Sequence, residues 1–166
     1  MDSPTSAEAQ ARRLETSIAE ISALVQQPEN AQRLRTAPSE NEWNVLQLLG
    51  HISEMIPYWL HEIRIIIENS SAELPRIGRS ADDPERLAGV EHGAKGNPDQ
   101  LLAEVQEEGR EGAAAIRAFT PEERAKKGLS ARWGEITVSD MLERFIVAHA
   151  EEHVRQMRQA LQSRDE

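Results

Sequence analysis

The sequence lacks cysteine altogether and is poor in aromatic residues, with three tryptophans, two phenylalanines and one tyrosine in 166 residues. The absence of cysteine excludes disulfides, thiolate metal ligands and a thiol nucleophile supplied by the protein. No stretch approaches the roughly 18 consecutive apolar residues that a membrane span requires. The first residues, MDSPTSAEAQARRLE, are polar and charged and contain no apolar signal-peptide segment. We therefore expect a soluble cytoplasmic protein without a membrane partner.

Positive charge is also scarce. The chain has 19 Lys and Arg residues against 29 Asp and Glu residues, and its formal net charge is −10. Proteins that bind nucleic acid concentrate lysine and arginine on one face, so we expect no nucleic-acid partner. The negative charge is compatible, by contrast, with a bound divalent cation. A chain of this length is most simply one domain, residues 1–166.

Strand patterns are missing as well, because no segment sustains the alternation of apolar and polar residues that a strand requires. The sequence instead predicts an all-α chain with helices at residues 6–27, 44–69, 98–119 and 138–163 and a short helix at 121–127. The start signals are Thr5 with Glu8, Asn44 with Gln47, Asn97 before Pro98, Thr120 before Pro121, and Thr137 with Asp140. Pro57 should kink the second helix rather than end it, because the apolar stripe continues beyond it.

The segment between the second and third predicted helices, residues 70–96, contains Pro75, Pro84 and four glycines and is predicted to be a loop. It reaches about 90 Å when extended at ~3.3 Å per residue, against ~39 Å for the second helix at ~1.5 Å per residue. The segment is therefore long enough to cross the whole bundle. The second and third helices need not be antiparallel.

Two histidines lie on the predicted core-facing stripe of the last helix. A helical wheel places His149 and His153 at the centre of that stripe, with Leu142, Phe145, Ile146, Gln156, Met157 and Ala160. Buried imidazoles are costly unless their nitrogens are paired. A divalent metal removes this cost, because neutral imidazole is a preferred nitrogen ligand and the i, i+4 spacing directs both rings to one point.

A third histidine, His51, lies at the edge of the buried face of the second helix and is the natural third ligand. His61 projects away from that face, and His92 lies in the predicted loop. The spacing alone leaves two interpretations about equal, a metal site and a pair of hydrogen-bonded core histidines.

Two blocks of the sequence resemble the DinB/YfiT superfamily of small metal-binding four-helix bundles. EWNVLQLLGHISE is similar to the family's tryptophan, helix cap, apolar pair and histidine, and GEITVSDMLERFIVAHAEEHVRQM to its final helix with the H-x-x-x-H-x-x-Q pattern. The resemblance implies an up-down-down-up course with a long crossover between the second and third helices. It also implies a divalent metal held by His51, His149 and His153, and a homodimer.

The resemblance offers two activities for such a site, both of which use the metal to lower the pKa of a bound water or thiol. Some relatives resemble S-transferases that use a thiol such as bacillithiol or mycothiol, and others are metal-dependent hydrolases. Because this chain has no cysteine, a transferase needs an external thiol. We predict thiol S-transfer to a small-molecule substrate with zinc or nickel. The alternatives are a hydrolase and a non-catalytic metal-binding stress-response protein.

Further side chains near the predicted ligands are candidates for the site, although the sequence identifies no catalytic residue. Gln156 is expected to support a ligand ring or face the substrate, with a helix-core amide as the alternative. Glu152 can orient a ring nitrogen or act as a base, against the plainer interpretation of a solvated carboxylate. Trp43 and Trp133 precede the two ligand-bearing helices and either shape the mouth of a pocket or pack at the end of the bundle.

Overall fold

The computed structural model describes residues 3–162 and confirms the all-α class. Its long helices are α1 (Ala7–Gln26), α2 (Val45–Glu68), α4 (Pro98–Ala118) and a C-terminal helical run made of α6 (Val138–Met141), a π-helix (Leu142–Val147) and α7 (Ala148–Gln162). The shorter elements are a 3-10 helix (Pro28–Arg33), α3 (Pro84–Lys95) and α5 (Pro121–Ala125). Residue 163, the last of the predicted final helix, lies outside the described residues.

Side-chain caps begin the helices where the sequence predicted them, with one correction. Asn44 accepts the backbone N–H of Gln47, whose side chain accepts the N–H of Asn44, so α2 begins with a capping box. The first helix is capped by Ser6 rather than by Thr5, because the Ser6 hydroxyl accepts the N–H of Ala9. α2 continues through Pro57. The predicted caps Asn97, Thr120 and Thr137 are all observed.

The side-chain contacts between helices give the direction of each one. Successive residues of α1 contact residues of α4 with decreasing numbers, so these two helices are antiparallel. The same holds for α2 and the C-terminal helical run. Successive residues of α1 contact residues of the C-terminal run with increasing numbers, so these two are parallel. The pairs are Glu8–Arg117 and Ser22–Gln106, His51–His153 and Trp59–Phe145, and Arg13–Glu143 and Glu20–Arg158. The course is therefore up-down-down-up, as the resemblance implied.

The crossover between α2 and α4 is not the loop that was predicted. It contains β1 (Arg76–Ile77) and α3, a helix of 12 residues that packs antiparallel against the first half of α2. A Cβ on Gly93 would lie 2.1 Å from the carbonyl oxygen of Leu46, and a Cβ on Gly50 would lie 2.2 Å from that of Gly89. The glycines therefore allow two helix backbones to touch, rather than breaking a helix. α3 returns the chain to the start of α2, so that α4 can run parallel to it.

A small sheet, which was not predicted, closes one end of the bundle. β1 pairs in parallel with β2 (Lys127–Ser130), and β2 pairs antiparallel with β3 (Gly134–Thr137). The predicted short helix at 121–127 therefore ends two residues early, at Ala125. The turn of the hairpin uses Gly134 at a φ of 71°, a left-handed conformation that favours glycine.

The buried apolar side chains of α1, α2, α4 and the C-terminal helical run form one hydrophobic cluster. Leu14, Leu49, Ile56, Ile116 and Met157 are among its members with no more than 1% of their surface exposed. Burial of such side chains, at roughly 25 cal/mol per Å², is the main driving force for the fold. Among residues 3–162, no helix is both long and apolar enough to cross a membrane.

Candidate metal centre

His51, His149 and His153 lie together where α2 crosses the C-terminal helical run. One ring nitrogen from each of the three lies within 4.8 Å of the others. The ring centroids are 4.4 Å apart for His149 and His153, and 4.9 and 5.5 Å from the ring of His51. Nitrogen ligands about 2.1 Å from one ion are at most about 4.2 Å apart, so a shift of less than about 1 Å closes the cluster around an ion.

The two histidines of α7 are held with one ring nitrogen facing the cluster. His149 Nδ1 lies 3.3 Å from the backbone carbonyl of Phe145, and His153 Nδ1 lies 2.8 Å from Oε1 of Gln156. Both partners are acceptors, so in both rings Nδ1 carries the proton and donates it. The lone pair of each Nε2 is therefore free for a ligand, and an oxygen that accepts from Nδ1 raises the basicity of the ring.

Several ring nitrogens of the cluster are buried without a hydrogen-bond partner among the described residues. They are both nitrogens of His51 and Nε2 of His153. His51 is 2% exposed and His153 is 5% exposed. An unpaired buried polar group costs on the order of 1–3 kcal/mol, so a cluster of hydrogen-bonded core histidines does not account for this arrangement. Three neutral imidazoles with free lone pairs fit a divalent metal ion.

The surroundings of the cluster keep its rings neutral. Burial lowers the pKa of His51 from 6.5 to about 2, with a further contribution from the charges that His153 and His149 would carry. Burial also lowers the pKa of His153 to about 3 and that of His149 below its usual value. Neutral imidazole is the form that binds a metal, so these rings require no deprotonation near pH 7.

The histidines lie at the edge of the buried stripe of the last helix, and the prediction that they lie at its centre is wrong. The buried positions of α7 are Ala150, His153, Val154, Met157, Ala160 and Leu161, whereas His149 and Gln156 are half-buried. The cause is the π-helix before α7, whose wider turns rotate every later residue relative to a wheel of constant 100°. Because of this rotation the histidines border a cavity instead of the centre of the core.

A cavity of about 490 Å³ opens at the cluster and is lined by His149, His153 and Gln156. Trp43 forms part of its wall, with the indole ring 5.0 Å from the ring of His51. Trp43 therefore both packs against the core and shapes the cavity, which were the two alternatives. Trp133 lies elsewhere, against a different cavity.

Two charged side chains of this cavity differ in how they are paired. Glu152 lines the cavity, but its carboxylate forms an ion pair with Arg155, and no hydrogen bond to a histidine of the cluster is found among residues 3–162. Arg86, on α3, lines the same cavity and donates to the carbonyl of Ala81 at 2.6 Å. It forms no ion pair with a carboxylate within the described part of the chain. The cavity therefore offers an incoming ligand the guanidinium of Arg86, beside the carboxylates of Glu42 and Glu152.

The sequence pattern does not predict Arg86 as a site residue, because residues 70–96 are predicted to be a loop. A signal was present, since Asp83 before Pro84 is an N-cap followed by a first-turn proline, and the Asp83 carboxylate accepts the N–H groups of Glu85 and Arg86. His92 lies on the same helix, away from the cluster, and bonds Glu104 at 2.9 Å. His61 is exposed on α2, as predicted.

Acid is expected to destabilise the metal-free protein through these histidines. Their pKa is lowered in the folded state, so below about pH 6.5 the unfolded chain takes up protons that the folded chain refuses. Stability is then lost from about pH 6.5 down toward the lowered pKa values. His51 and His153 together should lower the free energy of unfolding by about 3 kcal/mol between pH 7.5 and 5.5, measured by urea unfolding in EDTA. The lowered pKa of His149 adds to this loss.

His51→Leu is expected to remove the share of one histidine, about 1.4 kcal/mol over the same pH interval. It should also raise the stability of the metal-free protein at pH 7 by about 1–3 kcal/mol, because two buried nitrogens without partners are removed. His61→Gln, on the exposed side of α2, serves as the control and should unfold like the wild type at both pH values. A His51→Leu variant less stable than the wild type in EDTA would show that the ring is hydrogen-bonded in the core.

Comparison with known proteins places the chain in a family. The model of the DinB superfamily matches residues 13–157. The chain belongs to the DinB superfamily. YfiT from Bacillus subtilis, described as a probable metal-dependent hydrolase with an unusual four-helix bundle topology, is a similar solved structure. It is 18% identical, with a TM-score of 0.76 over 96% of this chain and 88% of that one.

A second similar structure is a mutant of the mycothiol-dependent maleylpyruvate isomerase. This DinB protein is 15% identical to it, with a TM-score of 0.65, and the match covers 87% of this chain and 59% of that one. Among curated proteins, none matches this chain. At these identities the two structures establish a shared fold, and what this DinB protein does has to be argued from its own site.

Proposed function

We propose that this DinB protein is a metalloenzyme in which His51, His149 and His153 hold a divalent ion, zinc or nickel, and that it transfers an external low-molecular-weight thiol to an electrophilic small molecule. The observation that carries the proposal is the set of unpaired ring nitrogens at the foot of a cavity. A divalent ion held by three imidazoles keeps a position open to a ligand and, when bound, lowers the pKa of a water or thiol there.

Other residues of the chain would orient the ligand rings, bind the substrate and exclude water. Gln156 accepts from His153 Nδ1, which fixes the ring with Nε2 toward the cluster, and the carbonyl of Phe145 does the same for His149. Arg86 favours a substrate or thiol with a carboxylate, because a guanidinium without an acidic partner binds an anion strongly. Trp43 covers the ring of His51 and limits the access of water from that side.

Thiol transfer is favoured over hydrolysis by the state of Glu152. Hydrolysis usually employs a base that accepts a proton from water. Of the two carboxylates in this cavity, Glu152 is paired with Arg155, and Glu42 forms no hydrogen bond to the histidine cluster among residues 3–162. A thiolate needs no such base once its proton has left to solvent. Hydrolysis remains the second candidate because YfiT, described as a probable metal-dependent hydrolase, matches nearly the whole chain. A cytoplasmic location, a homodimer and a single domain over residues 1–166 stay predictions.

A fluorogenic assay separates the candidate activities. The zinc-loaded protein is incubated with monochlorobimane and, in turn, mycothiol, bacillithiol, glutathione or cysteine. The thiol proton goes to buffer, a sulfur–carbon bond forms and chloride leaves. We expect conjugation at least about 100-fold faster than with the metal-free protein for one of these thiols, within the range of catalytic effects of a few kcal/mol.

The other outcomes each support a different function. Zinc-dependent release of p-nitrophenol from p-nitrophenyl esters without any thiol would favour the hydrolase. Zinc binding without either reaction would favour a non-catalytic metal-binding protein. Glu152→Gln serves as the internal test, because it should leave thiol conjugation within about twofold of wild type but remove a hydrolysis that uses this carboxylate as a base.

A further inference from the structure

A second cavity lies next to the small sheet. Its volume is about 510 Å³, within the range typical of small-molecule sites. Trp59 and Phe145 form one wall, with their rings stacked 4.3 Å apart at an interplanar angle of 21°. Trp133, in the turn of the hairpin, forms another wall and is 44% exposed. Flat aromatic walls of this kind bind planar ligands by stacking.

Arg132 lines this cavity, and Arg144 lies beside it against the Trp133 ring. The guanidinium of Arg144 lies 4.2 Å from the centre of the Trp133 ring and that of Arg132 lies 5.0 Å from it. Neither forms an ion pair with any carboxylate in residues 3–162, although acidic residues outnumber basic ones in the chain. By contrast, Arg79 in the wall of the cavity is neutralised by Glu54 at 2.5 Å. Arg132 in the wall and Arg144 beside it therefore place positive charge without an acidic partner at the cavity.

We propose that this cavity binds a small planar anion, an aromatic carboxylate, with its ring against Trp59 and its carboxylate on Arg132 and Arg144, which lie on the Trp133 ring. A guanidinium recognises a carboxylate through two parallel hydrogen bonds. Arginines that already lie over an indole ring lose little further freedom on binding such a ligand. The cavity has room for a molecule of two fused rings.

The second cavity is separate from the histidine cluster but lies close to it. Phe145 connects the two, since its ring forms the wall of the cavity and its carbonyl accepts from His149 Nδ1, one helical turn further on. The wall of the second cavity at Phe145 therefore lies about one helical turn, roughly 5 Å along the axis, from His149. The proposal does not rest on the proposed function, because none of its binding residues is one of the three histidines.

Titration of the full-length, metal-free protein with 2-naphthoate tests the proposal. The three indole N–H signals in a proton–nitrogen NMR spectrum, assigned with Trp→Phe variants, report the two cavities separately. We expect saturable shifts of Trp59 and Trp133, with Trp43 unchanged. Arg132→Gln and Arg144→Gln should each weaken binding about tenfold, whereas the control Arg64→Gln, an exposed arginine of α2, should leave it unchanged.

The uncharged analogue 2-naphthylmethanol is expected to bind about tenfold more weakly than 2-naphthoate, which shows that the carboxylate is recognised. A shift confined to Trp43 would place the anion in the histidine cavity and overturn the proposal. Absence of saturation below about 10 mM would overturn it too. So would a dimer in sedimentation that Trp133→Ala converts to a monomer while naphthoate fails to bind, because the face would then be covered by a second copy of the chain.

Discussion

His149→Ala is expected to weaken zinc binding about a thousandfold and to leave the helical content unchanged. Zinc sites with four ligands have apparent binding free energies of roughly 10–16 kcal/mol, or about 3–4 kcal/mol per ligand, and about 4 kcal/mol corresponds to a thousandfold change in affinity. His149 is half-buried within α7 and alanine is the best helix former, so the fold should survive. Isothermal titration of protein purified without an affinity tag measures the affinity, and circular dichroism measures the helix.

His92→Ala is the matched control for this experiment. His92 is an exposed histidine on α3 that bonds Glu104 and takes no part in the cluster, so its removal should leave zinc affinity within about twofold. Wild-type protein should also gain about 4 kcal/mol of stability at a zinc concentration a thousand times its dissociation constant, and His149→Ala should gain almost none. Equal zinc binding by His149→Ala and wild type would disprove the three-histidine site.

Gly93→Ala is expected to destabilise the protein by about 3 kcal/mol, although the same substitution in an exposed helix stabilises by about 1 kcal/mol. The new Cβ would lie 2.1 Å from the carbonyl oxygen of Leu46 and 3.0 Å from Cα of Gln47. These are backbone atoms of the first turn of α2, so no side-chain rotation relieves the overlap and α3 has to move away. Urea unfolding should show the loss, which corresponds to a fall in Tm of roughly 6–12 °C for a chain of this size.

Gly134→Ala provides the comparison. A Cβ at that position meets nothing within 4 Å, so the substitution carries only the cost of a left-handed conformation, about 1 kcal/mol. The difference between the two variants isolates the contact of α3 with α2. A Gly93→Ala protein as stable as the wild type would mean that α3 does not pack on α2 through its glycines.

Local features of the sequence were enough to predict the main helices. Caps such as Asn44 with Gln47 and Thr137 with Asp140 act over three residues, so they can be identified without knowledge of the fold. The prediction of a loop at residues 70–96 is wrong for a related reason. A glycine that ends a helix and one that lets two helices touch look the same in the sequence, and only the position of α2 separates them.

The candidate site, too, could be predicted from the sequence only in part. The i, i+4 spacing of His149 and His153 fixes their shared side of one helix, and the sequence alone shows it. The composition likewise fixes the absence of a cysteine ligand or thiol in this DinB chain. By contrast, the nearness of His51, and the opening of a cavity beside the pair, depend on the antiparallel crossing of two helices and on the rotation introduced by the π-helix. Tertiary packing decides both, because they join residues about 100 positions apart and no local rule links such residues.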